Sequence, residues 1–168
     1  MKLNLKDIIE IPGGSVPFSQ EIETDRLDFP SVLAYTAPIT AEGEVRNTAG
    51  ILELTGKLNA SMHCVCDRCG TEFDRSKQID LHATVTADPE ADDDPEIFPL
   101  EGDWLDLDEV LTTLFILDMD TKFLCKEDCA GLCPQCGANR NEAACGCERN
   151  PGDSPFAALA ALKRNKNH

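Results

Sequence analysis

Nine cysteines in this 168-residue chain gather into two stretches, and their spacing carries the clearest chemistry. The first reads Cys64-Val65-Cys66-Asp67-Arg68-Cys69-Gly70; the second holds Cys125, Cys129, Cys133, Cys136, Cys145 and Cys147. Each contains a C-x-x-C-G element, Cys66 to Gly70 and Cys133 to Gly137. Such a turn aims two thiolates at one centre, while the glycine takes a backbone conformation that a side chain resists. Two knuckles of this kind can complete one tetrahedral metal site. With Cys64 set aside, the remaining eight thiols are enough for two sites, and spacing alone permits two schemes. One joins Cys66 and Cys69 to Cys133 and Cys136 and leaves Cys125, Cys129, Cys145 and Cys147. The other keeps Cys133, Cys136, Cys145 and Cys147 together as a local site. The first would clip the tail to the body across a long loop, the second would make the tail an independent module, and in both the binding energy contributes to folding.

Composition favours metal over disulfide. The opening Met1-Lys2-Leu3-Asn4-Leu5-Lys6-Asp7 has no apolar core of signal-peptide length, and no segment is long and apolar enough to span a membrane. The expectation is a cytoplasmic protein, where thiols stay reduced, and an odd cysteine count leaves one thiol over in any full disulfide scheme. Zinc, in one or two structural sites, is the expected ion. Cys129-x3-Cys133-x2-Cys136 also matches the spacing by which radical SAM enzymes hold an iron-sulfur cluster. Only 32 residues follow Cys136, however, and such a cluster opens a large barrel.

Charge divides the chain unevenly. Residues 1–124 carry a net charge of −17 and residues 125–168 a net charge of +1, and no lysine or arginine lies between Ala83 and Thr121. Phosphate backbones are repelled by such a body, so a basic protein partner fits better than free nucleic acid. The run from Asp88 to Glu96, rich in Asp and Pro, reads as a solvated linker.

The elements that must position the thiols are mostly strands. Leu54, Gly56, Leu58, Ala60, Met62, Cys64 and Cys66 alternate with polar residues, and Ile79, Leu81, Ala83, Val85 and Ala87 repeat the pattern. The first knuckle therefore falls in the connection between two antiparallel strands. Ile39, Ala41 and Val45 suggest another strand, and the residues around Pro12-Gly13-Gly14 read as short strands and turns. Asp106-Leu107-Asp108-Glu109 opens a helix with Val110, Leu111 and Leu114 on one face, and Ser154-Pro155 opens a short closing helix that docks or meets a partner. The expected class is α+β: an antiparallel sheet core with few helices and a C-terminal zinc-knuckle-like tail. The expected division is an acidic core domain, 1–122, and a cysteine-rich tail, 123–168.

No phosphate-binding loop or triad is evident, and the three histidines form no cluster in sequence, so the chain reads as no enzyme and as having no small-molecule substrate. Two rival classes are an RNA-binding module using Lys126, Arg140, Arg149, Lys163, Arg164 and Lys166, and a thiol-based redox or zinc-donating protein with Cys64 as its spare thiol.

The ordered motifs resemble a known family. The strand around Gly56, Cys66-Asp67-Arg68-Cys69, the Asp106-Leu107 helix, the run from Phe123 to Glu142 and the closing Pro155-Phe156-Ala157-Ala158-Leu159-Ala160-Ala161-Leu162 are together similar to the bacterial YceD-like proteins, named for large ribosomal RNA subunit accumulation. Cys64 is an extra thiol beside the family's first knuckle. The resemblance implies a non-enzymatic factor in ribosome biogenesis, with a basic ribosomal protein or a large-subunit assembly intermediate as its partner.

Overall fold

The computed structural model describes residues 1–86 and 97–147. The acidic run Asp88–Glu96, the closing helix from Ser154, and Arg149, Lys163, Arg164 and Lys166 lie outside the described residues. The elements run β1 (Lys2–Asn4), α1 (Lys6–Ile9), β2 (Ser15–Ile22), β3 (Val32–Tyr35), β4 (Ile39–Thr48), β5 (Ile51–Val65), β6 (Glu72–Thr86), β7 (Ile97–Pro99), β8 (Trp104–Asp106) and α2 (Leu107–Asp118).

Strand β5 is the axis of the molecule. On one side it pairs along its whole length with β6, from Leu52↔Val85 to Val65↔Glu72. On the other it pairs first with β4, from Thr48↔Ile51 to Thr40↔Asn59, and then with β3 through Tyr35↔Met62 and Val32↔Cys64. The sheet order is β2-β4-β5-β6-β7, with all pairs antiparallel except β6–β7. The α+β architecture expected from the alternation is what forms. The even positions of β5 from Leu52 to Cys64, Gly56 apart, are buried, as is Cys66 just beyond the strand, and so are Ile79, Leu81, Ala83 and Val85 of β6.

Helix α2 covers that apolar face. Asp106 caps it by accepting hydrogen bonds from the Asp108 and Glu109 amides, and Leu107, Val110, Leu111, Leu114 and Phe115 join the core with the strand residues. Phe115 meets the rings of Phe29 and Tyr35 at 6.0 and 6.5 Å between centroids. The opposite sheet face, carrying Glu42, Glu53, Lys57, Asp74 and Asp80 among polar neighbours, faces solvent among the described residues.

One feature departs from the sequence reading. The stretch before Pro12 includes a helical turn, α1, which buries Ile8. The carbonyls of Ile8 and Ile9 accept from the buried Asn47 amide, whose Oδ1 accepts from Gly50 N in the tight β4–β5 turn. Ala49 (φ 55°) and Gly50 (φ 98°) both adopt left-handed backbone there, as a two-residue turn of the type that matches strand twist requires. Cys64 is fully buried in the main core, as its place in the alternation predicts, and burial pushes its thiol up and keeps it neutral. It is thus not the exposed, reactive thiol that a redox reading would need.

Candidate metal centres

Both knuckles fold alike. In the first, placed by the end of β5 and the start of β6, Cys66 N donates to Thr71 O and Gly70 N to Cys66 O, each at 2.9 Å. In the second, Cys133 N donates to Ala138 O at 2.8 Å and Gly137 N to Cys133 O at 2.9 Å. Gly70 (φ 72°) and Gly137 (φ 73°) close the two turns in the left-handed region, as the C-x-x-C-G pattern predicts.

The knuckles do not pool their thiols. The first gathers Cys66, Cys69, Cys125 and Cys129, and the second gathers Cys133, Cys136, Cys145 and Cys147; within each set the sulfurs all lie within 4.8 Å of one another. The scheme joining the two C-x-x-C pairs in one site is thereby overturned, and the local second set is the one that forms. The tail is clipped to the sheet all the same, because Cys125 and Cys129, just after α2, reach back to the β5–β6 connection. All nine cysteines are free thiols.

The geometry fits a tetrahedral cation. Cys66 Sγ lies 3.8 Å from Cys129 Sγ, and Cys69 Sγ lies 3.7 Å from Cys125 Sγ. A tetrahedron of sulfurs with 2.3 Å metal–sulfur bonds has edges of about 3.8 Å. The electrostatics agree. Burial opposes charge on Cys66, but amide groups of Cys125, Arg68 and Cys69 outweigh it and bring the thiol down to about 6. Burial, with hydrogen bonds to Cys69 and Cys66, pushes Cys125 up to about 12. In the second set the amides of Cys136 and Gln135 bring Cys133 down to about 6, while the bond to Cys136 and then burial raise Cys147 to about 12. Within each set, then, one thiol ionises readily and another resists. A divalent cation at the centre removes the resistance, because it favours the thiolate at every corner.

The two sets differ in access. Cys66, Cys69 and Cys129 are buried and Cys125 half-buried, whereas Cys136 is exposed, Cys145 and Cys147 are half-buried, and only Cys133 is buried.

Several residues around the thiols were not singled out by sequence reasoning. Asp67 accepts hydrogen bonds from Phe123 N at 2.6 Å and from Ser31 Oγ, while Asp67 N donates to Phe123 O at 2.8 Å, so one residue of the knuckle holds the start of the tail in both directions. Arg68 Nη1 donates to Cys129 O at 3.0 Å, and Leu132 N donates to Arg68 O. The one signal available was an aspartate inside a C-x-x-C turn, a residue type that often bonds nearby backbone.

Comparison with known proteins bears on what this arrangement serves. The model of the family described as large ribosomal RNA subunit accumulation protein YceD matches residues 54–163, from β5 through both thiol sets. The chain is also 24% identical over 156 residues to the large ribosomal RNA subunit accumulation protein YCED homolog 1, chloroplastic, of Arabidopsis thaliana, covering 75% of this chain and 49% of that relative. It thus spans about half the length of the curated relative it matches. No solved structure matches the chain. With the family's match running unbroken across the long hairpin, the α2 helix and the paired thiol sets, this chain belongs to the YceD family of large ribosomal RNA subunit accumulation proteins.

Proposed function

We propose that this chain is a non-enzymatic factor of ribosome biogenesis that supports accumulation of large-subunit ribosomal RNA by binding a basic ribosomal protein or assembly intermediate. The observation that carries the reading is the family match over residues 54–163. Charge supports the choice of partner. A net charge of −16 repels a free phosphate backbone and attracts a lysine- and arginine-rich protein, which an acidic binder would hold away from unspecific RNA until assembly. The polar sheet face is the surface suited to it. In one cross-strand row Glu42, Lys57 and Asp80 stand side by side, and Glu53, Glu72 and Asp74 extend the acidic character along β5 and β6.

Each thiol set is assigned one structural zinc ion, which supplies a fixed tetrahedral knot and no redox chemistry. The chain's own part is to present four sulfurs at the right separation and to aim amide groups at them. The cytoplasm is the proposed compartment, although the plant relative is named as chloroplastic.

The test is the ratio of large- to small-subunit ribosomal RNA in cells depleted of this chain, with wild-type or Cys133→Ser copies restored. A selective fall in the large-subunit RNA, reversed by wild type, is expected. An unchanged ratio overturns the role. Failure to retain any purified large-subunit protein in the absence of RNA overturns the proposed partner class.

A further inference from the structure

The loop between Cys136 and Cys145 does more than span its own thiol set. Asn141 lies within it, yet its side chain is spent on the other set: Nδ2 donates to Cys129 Sγ at 3.4 Å, and Oδ1 accepts from Ala130 N at 2.8 Å. Asn139 Oδ1 holds that amide in place, accepting from Asn141 Nδ2 at 2.8 Å and from Asn141 N at 3.0 Å. A second thread runs to Cys69. Asn139 Nδ2 donates to Thr71 Oγ1 at 3.4 Å, and the same hydroxyl oxygen lies 3.3 Å from Cys69 Sγ. Arg140 N donates to Gly131 O at 2.9 Å and fixes the loop against the segment between the sets.

An N–H aimed at a ligating sulfur favours its thiolate, and outer partners of this kind set metal affinity and ligand orientation. The Asn141 loop, meanwhile, is anchored at both ends by Cys136 and Cys145, two thiols of the accessible set.

We propose that the two metal centres are energetically coupled through Asn141: a cation held by Cys133, Cys136, Cys145 and Cys147 orders the loop that places the Asn141 amide on the Cys129 sulfur and so tightens metal binding at the buried centre. The coupling is reciprocal, since a free energy shared by two sites acts equally on both. Asn141 is a positioning residue in this scheme, and it touches no ion. The inference rests on the metal-binding reading above.

The experiment uses the full-length reduced chain. Cadmium-113 resonances report each tetrathiolate centre separately, and competition against a chromophoric chelator gives the zinc affinity of the buried one. Disabling the accessible centre with Cys136→Ser and Cys145→Ser is expected to weaken the buried centre about tenfold, the range for loss of an outer partner. Asn141→Ala should weaken it to a similar extent. Asn141→Asp, which keeps the acceptor for Ala130 N but removes the donor to sulfur, should do so at least as strongly. Asn141→Ala added to the two serine substitutions should cost nothing further, because the loop is already unanchored. Asn141→Ala leaves all eight ligands in place, so the test survives if the serine variant fails to fold. Two cadmium resonances with a buried-centre affinity within twofold of wild type in the asparagine variants, or losses that add in full, would overturn the coupling alone. No cadmium resonance in the wild-type chain would overturn the metal reading together with it.

Discussion

Gly43 stands opposite Gly56 across β4 and β5, and the Phe18 ring occupies the space that Gly43 leaves on the buried face. A Cβ on Gly56 would sit 2.3 Å from the Glu42 carbonyl oxygen, and one on Gly43 would sit 2.1 Å from that of Thr55 and 2.8 Å from Phe18. The two carbonyls are backbone obstacles that cannot rotate away. Gly56→Ala is therefore expected to destabilise the protein by about 1–3 kcal/mol, the range for overpacking a close-packed interior. The midpoint of denaturant unfolding of the metal-loaded protein reads it, and a midpoint equal to wild type would contradict the close approach.

Removing the α2 cap gives a second test. Asp106 accepts from the amides at 108 and 109, so Asp106→Ala should cost about 1 kcal/mol, with Asp106→Asn costing less because it retains an acceptor. Equal stability of wild type and the alanine variant would mean that solvent satisfies those amides as well as the carboxylate does.

His63 supplies a pH dependence. Hydrogen bonds to Asp74 and then Glu72 raise its folded value above the ordinary 6.5. A raised value means that the folded state holds the proton more tightly. The stabilisation is therefore full below about 6.5 and disappears as pH rises through the raised folded value. The gap in melting temperature between wild type and His63→Gln should accordingly be widest near pH 6 and closed by pH 9. Proton NMR titration of the ring locates the midpoint, and a midpoint at or below 6.5 would refute the pairing.

Metal content separates Cys64 from its neighbours. Full loading is expected at two zinc ions per chain. Cys64→Ala should leave that number unchanged, since Cys64 belongs to the apolar core and to neither thiol set, whereas Cys66→Ser should lower it. Elemental analysis of the reduced proteins decides the matter, and a loss of zinc in Cys64→Ala would place that sulfur on a metal.

Chelation should proceed in two steps. The set with exposed Cys136 and half-buried Cys145 and Cys147 should give up its ion first, and the set with Cys66, Cys69 and Cys129 buried should follow more slowly. A single phase of zinc release, with both cadmium signals lost together, would show that access does not control the rate.

The strands and thiols differ in how far they could be read from the chain. The alternation from Leu54 to Cys66 and from Ile79 to Val85 is a local signal, because a half-buried strand writes its burial into every second residue. The same holds for the Asp106 cap, whose partners lie two and three residues on. The short α1 turn was hidden because four residues give too little periodicity, and its support comes from Asn47, across the fold. The pairing of β3 with the far end of β5 and the parallel approach of β7 to β6 are tertiary choices with no local mark. The eight ligand candidates were visible from spacing, but their division into two sets depends on where the end of α2 delivers Cys125 and Cys129. The roles of Asp67 and Asn141 are likewise long-range.

The order in which the buried thiol set is assembled follows from its position in the chain. A growing polypeptide completes the β5–β6 hairpin, and with it the turn holding Cys66 and Cys69, while Cys125 is still 56 residues from Cys69 along the chain and not yet made. Until the end of α2 emerges, the newborn protein carries an open pair of thiols at the tip of its longest strands, a half-built claw that can grip a soft cation only weakly. Closure of that claw waits on residues made after α2, so under the proposed metal binding the availability of metal during synthesis acts on how much of the chain matures.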